Sequence, residues 1–260
     1  MNPIRIIFCG ANGRMGRATA ELIRANDKYT LAAGVDITGE GADAVGAPVY
    51  KHISEVKEEA DVIVDFSHHS ALPELLSYAK EKQMPIVVCT TGHTPEENTM
   101  MQEASASIPV FFSRNMSVGI NLLISLCRKA SAMLGDDFDI EIVEAHHHNK
   151  LDAPSGTALM IADAIAEEVP YDPVYTYDRH AVRQKRAKEE IGIHAIRGGS
   201  IVGEHSVIFA GAEEVVTLSH SAGSRSVFAS GALRAAAYVI GKPAGMYNMN
   251  DVVNTIDGME

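Results

Sequence analysis

The chain has 260 residues, 46% of them apolar, and a formal net charge of −12 at pH 7. That is enough apolar material for one large or two modest domains with proper cores, while the acidity argues against a nucleic-acid partner, whose phosphates are gripped by basic surfaces. No apolar run approaches the ~18 residues of a membrane span, so no membrane partner is expected and the chain reads as cytoplasmic.

Residues 4–9 form an apolar strand that enters Gly10-Ala11-Asn12-Gly13-Arg14-Met15-Gly16 and then a helix to about Arg24. Strand, glycine turn and helix in that order suit a dinucleotide, because the glycines allow a tight turn, close approach of backbone to a pyrophosphate and close helix packing. The same glycines would also serve a plain turn. A second strand over residues 30–35 ends at Asp36, twenty residues past Gly16, where a carboxylate can accept hydrogen bonds from an adenosine ribose or merely cap the strand. Ile37 and Thr38 follow, with no arginine to receive a 2′-phosphate, which leans the reading to NADH over NADPH. Strands over 62–66, 86–90 and 109–112 alternate with helices at about 71–82 and 95–106, the pattern of a parallel, doubly wound α/β sheet. Ligands of such sheets bind beyond the carboxyl ends of the strands, where Asp65-Phe66-Ser67, Thr90-Thr91-Gly92 and Arg114-Asn115-Met116-Ser117 lie.

A helix over residues 118–134, with apolar positions 118, 122, 123, 126, 130, 133 and 134, leads to an alternating strand over 138–144. That strand runs straight into His146-His147-His148-Asn149-Lys150. Pro154 then breaks the chain, and Ser155 is the expected N-cap of a helix whose apolar positions Leu159, Ile161, Ala162, Ile165 and Ala166 recur at helical spacing. The start Ser155-Gly156-Thr157 offers free backbone N–H groups, two hydroxyls and the positive end of a macrodipole, a ready seat for a carboxylate or phosphate. Lys150 adds a cation and the histidines can move a proton near neutral pH. Two plainer readings stand beside this one: a solvated polar loop, and a zinc site on His146 and His148 should the strand continue, for which no third ligand stands at a standard spacing. No metal is expected.

Residues 170–188 read as a long polar excursion, and the basic run from Arg183 to Lys188, followed by Glu189 and Glu190, as a solvated surface loop. Strand-like runs over 191–197, 201–209 and 214–220 are separated by glycines, which predicts an open mixed sheet with hairpin-type links, joined by the 138–144 strand. Its exposed face needs a cover, and a second copy of the chain would supply one. An alanine-rich helix over 227–240 ends at Gly241. Two domains follow: residues 1–117, completed by 227–260, for a dinucleotide, and 118–226 for substrate and oligomerisation, with crossings near 117 and 226 that can act as a hinge. Cys9, Cys89 and Cys127 are odd in number and set in apolar runs, so buried free thiols are expected.

The stretch EAHHHNKLDAPSGTA, residues 144–158, closely resembles the signature of the 4-hydroxy-tetrahydrodipicolinate (dihydrodipicolinate) reductases of lysine and diaminopimelate synthesis. The resemblance extends to the DFS, TTG and N-M-S-x-G turns, to Ser224-Arg225 and to the terminal Gly245-Met-Tyr-Asn-Met-Asn-Asp251-Val, with Cys89 standing where the family often has glycine. It implies a Rossmann-like domain with an α+β second domain and a homotetramer. It implies cofactor contacts from Gly10, Asn12, Gly13, Arg14 and Met15, from Asp36, from Phe66, from Cys89, Thr90 and Thr91, and from Ser113, Arg114, Asn115 and Met116. It implies catalysis by His146 as proton donor and by Lys150, which either shares that role or holds a carboxylate. It implies binding of a small dicarboxylate by His147, Ser155, Gly156, Thr157 and Arg225, for which a structural salt bridge is the alternative reading. The expected reaction is NADH- or NADPH-dependent reduction of a cyclic imine dicarboxylate, with a general acid to protonate the adjacent carbon. The alternatives are another dehydrogenase on the same scaffold and a non-catalytic dinucleotide sensor.

Overall fold

The computed structural model describes residues 2–39 and 45–257, so the outer limits of the expected domains, residues 1 and 260, lie outside it. The chain separates into two compact units, Met1–Val118 with Arg225–Glu260, and Gly119–Ser224. No helix among the described residues is long and apolar enough to cross a membrane.

In the first unit, β1 (Ile4–Cys9), β2 (Tyr29–Val35), β3 (Val49–Tyr50), β4 (Val62–Asp65), β5 (Ile86–Val88), β6 (Pro109–Phe112) and β12 (Gly245–Tyr247) form one sheet, in the order β12-β6-β5-β4-β1-β2-β3. Every pairing is parallel. The strands carry continuous apolar runs because both faces are covered. Ile6, Phe8, Val62, Val64, Val87 and Phe111 pack toward α1 (Arg14–Arg24) and α6 (Ser226–Val239), meeting Ala20, Ile23, Ala232, Ala236 and Val239. Their neighbours in sequence, Ile7, Cys9, Ile63, Ile86, Val88 and Val110, point the other way, toward α2 (Leu72–Lys82) and α3 (Pro95–Ala104). Each fully buried Ile, Val or Phe contributes ~1.5–3 kcal/mol. A last helix, α7 (Met249–Asp257), follows β12. The strand order reverses beside β1, so the ends of β1 and β4 flank the crevice where this architecture binds ligands.

The second unit holds α4 (Val118–Leu134, all but its first residue), β7 (Asp139–His146), α5 (Gly156–Ala166), β8 (Val174–Thr176), β9 (Glu190–Arg197), β10 (Gly203–Ala210) and β11 (Val215–Ala222). Its mixed sheet has the order β11-β10-β7-β9-β8, with β7 in the centre. The period of two along β7 sends Ile140, Ile142, Glu144 and His146 to one face. Beside them lie Phe209, Val207 and His205 of β10 and Ile191, Ile193 and Arg197 of β9. This face is therefore apolar at one end and ionisable at the other, and the apolar end packs against Ala158, Ile161, Ala162 and Ile165 of α5.

Three expectations need correction. The predicted hairpin between the strands after Pro170 fails for the first pair: β9 and β10 do not touch, because β7 lies between them, and only β10 and β11 form a hairpin. The basic run is not simply solvated. Arg186 donates to Asp139 (2.8 Å), Glu141 (3.1 Å) and the carbonyls of Ile140 and Glu190, and Lys188 reaches the carbonyl of Phe138 (3.1 Å), so carboxylates and strand-end carbonyls across the sheet anchor it. In α4 the buried apolar positions are Ile120, Leu123, Ile124 and Cys127, while Met133 is 84% exposed and Leu122 and Leu126 are partly open. Hydrophobicity marked two stripes there, and the unit buries one.

Candidate active site

The turn after β1 is shaped by contacts that only glycine permits. Gly10 adopts φ +82°, and a Cβ there would sit 2.6 Å from the carbonyl oxygen of Phe66. A Cβ on Gly16 would lie 2.1 Å from the carbonyl of Ala11, so α1 rests directly on the turn. Gly13 is the N-cap of α1, with extended backbone, no side-chain cap and no acidic residue in the first turn. Those amides and the helix dipole suit a pyrophosphate. Asp36, at the end of β2, accepts from the Asn12 N–H (3.0 Å), the Thr38 N–H (3.1 Å) and the Thr38 hydroxyl (3.0 Å). The carboxylate is thereby fixed beside the turn, with acceptor capacity to spare for a diol.

The other strand ends converge on the same edge of the sheet. Phe66 stacks on Phe8 at 5.8 Å, and Asp65 beneath it is fully buried. Burial pushes the Asp65 carboxyl up, opposed by hydrogen bonds from the Ser67 hydroxyl and N–H and from the Thr90 hydroxyl. Thr90 is buried and Thr91 exposed, while Cys89 donates its N–H to the Asp65 carbonyl (2.9 Å) and tucks its thiol into the core. Burial drives that thiol well above the usual range, as it does Cys9. All three cysteines are buried and free. After β6, the Ser113 hydroxyl donates to the Asn115 carbonyl (3.0 Å) and Asn115 Oδ1 accepts the Ser117 N–H (2.9 Å), leaving Arg114 exposed and Met116 buried.

The second unit gathers charge. His146 is the last residue of β7, not a loop residue, and it lies opposite Arg197 of β9. Its Nδ1 is 2.6 Å from Glu144 Oε2, and the Glu144 side chain is 0% exposed. Arg197 grips both Glu144 oxygens (2.8 and 2.7 Å) and the Ser155 N–H donates to Oε1 (2.9 Å). Burial opposes the charge on Glu144, yet the hydrogen bonds from Arg197, His146 and Ser155 outweigh it and hold the carboxyl below its ordinary range. Ser155 caps α5 by accepting the Ala158 N–H (3.2 Å), and its hydroxyl also meets His205 Nε2 (3.1 Å). Burial and the neighbouring His146 lower His205 to about 4, so it is neutral at pH 7. Lys150 pairs with Asp152 at 2.9 Å. His147 donates its N–H to the Ile201 carbonyl (2.7 Å), and its Nδ1 has no partner among the described residues. Gly156 is exposed and open, and Thr157 follows it in the first turn. Because β7 stops at His146, His148 does not share its strand face, and no cluster suited to a metal ion occurs among the described residues. Arg225 is the exposed N-cap residue of α6 and groups with the first unit, not with the second as the expected limit of 226 had it.

Comparison with known proteins decides the family. Residues 4–116 match the model of the dihydrodipicolinate reductase N-terminus and residues 119–253 that of its C-terminus. The chain belongs to the dihydrodipicolinate reductase family. It is 52% identical over 250 residues to a 4-hydroxy-tetrahydrodipicolinate reductase of Caldanaerobacter subterraneus, covering 96% of this chain and 98% of that one. A relative with the same description from Clostridium tetani is 48% identical, covering 97% and 98%. The fold matches that of a dipicolinate-bound dihydrodipicolinate reductase from Paenisporosarcina at a TM-score of 0.77 with 24% identity, covering 95% of this chain and 97% of that one.

Within this family fold, the reading of the sequence passed over Glu144, Arg197 and His205. Glu144 left a signal, since a residue two before His146 on a strand shares its face. Arg197 and His205 left none, because only the sheet register brings positions 53 and 50 residues away from their partners into reach.

Proposed function

We propose that the chain catalyses NAD(P)H-dependent reduction of 4-hydroxy-tetrahydrodipicolinate to tetrahydrodipicolinate in lysine and diaminopimelate synthesis, as a cytoplasmic homotetramer. The observation that carries the chemistry is a charge-clamped His146 tied through Glu144 to the N-terminus of α5, on the unit that also carries Lys150, while the other unit carries a glycine-shaped anion cradle. The relative from Paenisporosarcina binds dipicolinate, a planar dicarboxylate of the kind these groups suit.

The turn Gly10–Met15 would hold the pyrophosphate, Asp36 the adenosine ribose, and Phe66, Cys89–Thr91 and Ser113–Met116 the remainder of the cofactor. Asp36 with Thr38 hydrogen-bonded to it, and no arginine directly after it in the sequence, favours a free 2′-hydroxyl and hence NADH. The bound cofactor supplies a hydride. The chain supplies position and protons. Gly156 and Thr157 amides at the head of α5 seat one carboxylate, aided by the dipole. Lys150, whose present partner Asp152 is exposed, can exchange that partner for substrate. His147 adds a ring nitrogen with no partner among the described residues, and Arg225 an exposed guanidinium for an anion. Ser155 acts chiefly through its backbone: its hydroxyl is shared by Ala158 and His205, so it holds the seat in shape. Once the substrate has lost its hydroxyl and a proton of the adjacent carbon as water, the hydride adds to the carbon that bore the hydroxyl. The electron pair shifts through the conjugated imine to give an enamine, and His146 or Lys150 returns a proton to the adjacent carbon. The outer face of the second sheet, with Val215 61% and Ile196 51% exposed, favours cover by another copy.

The test is oxidation of NADH and of NADPH with freshly generated product of dihydrodipicolinate synthase. Turnover with both, faster with NADH, is expected; cofactor binding without oxidation would point to a sensor or another substrate.

A further inference from the structure

Glu144 is an acceptor with every position filled. Oε1 takes the Ser155 N–H and Arg197 Nη2; Oε2 takes Arg197 Nη1 and His146 Nδ1. A carboxylate bonded bidentately to a guanidinium is ionised and can only accept, so at 2.6 Å the proton in the His146 contact belongs to Nδ1. Nε2 is then the atom left to exchange a proton. A Cβ on Gly203 would lie 3.1 Å from that nitrogen, so the neighbouring strand has no side chain to block it.

We infer that Glu144 and Arg197 are positioning residues for this reaction: Glu144 fixes His146 as the Nδ1–H form with Nε2 turned to the substrate, and Arg197 sets how much of the Glu144 charge His146 feels. The second half rests on the proposed reduction with His146 as proton donor; the first does not. A carboxylate behind a ring nitrogen stabilises the imidazolium and fixes the tautomer, the logic of many acid–base histidines. Arg197 has its own anchors, the carbonyls of Asp152 (2.7 Å) and Ile196 (2.7 Å), so its fork is held independently of His146. The other charged or titratable groups facing His146 are His205 on β10, its ring 5.3 Å away, with His220 paired behind it on β11, and Lys150 with Asp152 on the following loop. His205 and His220 are both shifted toward the neutral form, chiefly by burial. Among the described residues Glu144 is the fixed charge bonded to the His146 ring, and Arg197 is the one bonded to both oxygens of Glu144.

The experiment joins nitrogen-15 NMR of the histidine rings with the pH profile of turnover. His146 signals are assigned by their absence in His146→Gln. In the unaltered enzyme near pH 8 we expect protonated Nδ1 and bare Nε2. In Glu144→Gln the charge behind the ring is gone, so the alkaline limb of kcat should move at least one pH unit lower, with about a tenfold loss at pH 8 and KM within threefold. In Arg197→Leu it should move higher, and Arg197→Lys should bring it most of the way back. An Nε2–H tautomer in the unaltered enzyme, or a limb that stays in place in folded variants, overturns the inference. Should Glu144→Gln not fold, the tautomer and the opposed Arg197 pair still decide. Undiminished turnover in His146→Gln would instead overturn the donor role while the NMR judged the clamp alone.

Discussion

The two units build their sites from different materials. The first uses backbone: glycines that let chain approach chain, bare amides at the head of α1, and strand ends aligned on one edge of a parallel sheet. The second uses side-chain charge: a buried carboxylate shared by a guanidinium, an imidazole and an amide, with a neutral histidine alongside. A backbone cradle binds a large anionic cofactor without being altered by it, whereas a charge cluster can release or take a proton. Binding and chemistry should therefore fail separately.

The sharpest break of the backbone site is Gly10→Ala, which places a methyl group 2.6 Å from the Phe66 carbonyl at φ +82°. We expect at least a thousandfold loss of NADH affinity, about 4 kcal/mol, by titration calorimetry. The His146 NMR signals should not move. If they do, the units are not independent.

The charge site should announce itself through acid stability. His205 falls from 6.5 to about 4 on folding, so between those values the unfolded chain binds more protons than the native one. This contribution is complete above pH 6.5 and is lost as pH drops toward 4, on the order of 3 kcal/mol. Urea unfolding of the unaltered enzyme against His205→Gln should show a gap that changes by about that amount between pH 7.5 and 4. A gap independent of pH would mean His205 is not held neutral. The smallest effect belongs to Asp36→Ala, which should weaken NADH about tenfold and NADPH much less, shrinking the preference between them. Equal losses for both would make Asp36 a brace for the Asn12 turn and not a ribose contact.

The same contrast explains what the sequence disclosed. Gly10, Gly13 and Gly16 after an apolar strand betray a cradle because the constraint is local, and β1, α1 and β6 stand within a residue or two of their expected limits. The Ser155 cap was equally local. Short strands such as β3, β8 and β12 were not legible, since two or three residues carry no period. Nor was the central place of β7, which depends on pairing with strands far along the chain, and with it went Arg197 and His205. The basic run misled because like charges read as solvated unless one knows which carbonyls and carboxylates they will face.

The most direct measurement is His146→Gln, with NADH binding and turnover of 4-hydroxy-tetrahydrodipicolinate determined on the same preparation. The account predicts NADH affinity within twofold of the unaltered enzyme and turnover reduced by roughly 10²–10⁴-fold. Turnover left near its original rate, or NADH binding lost along with it, would contradict the division of labour between the two units.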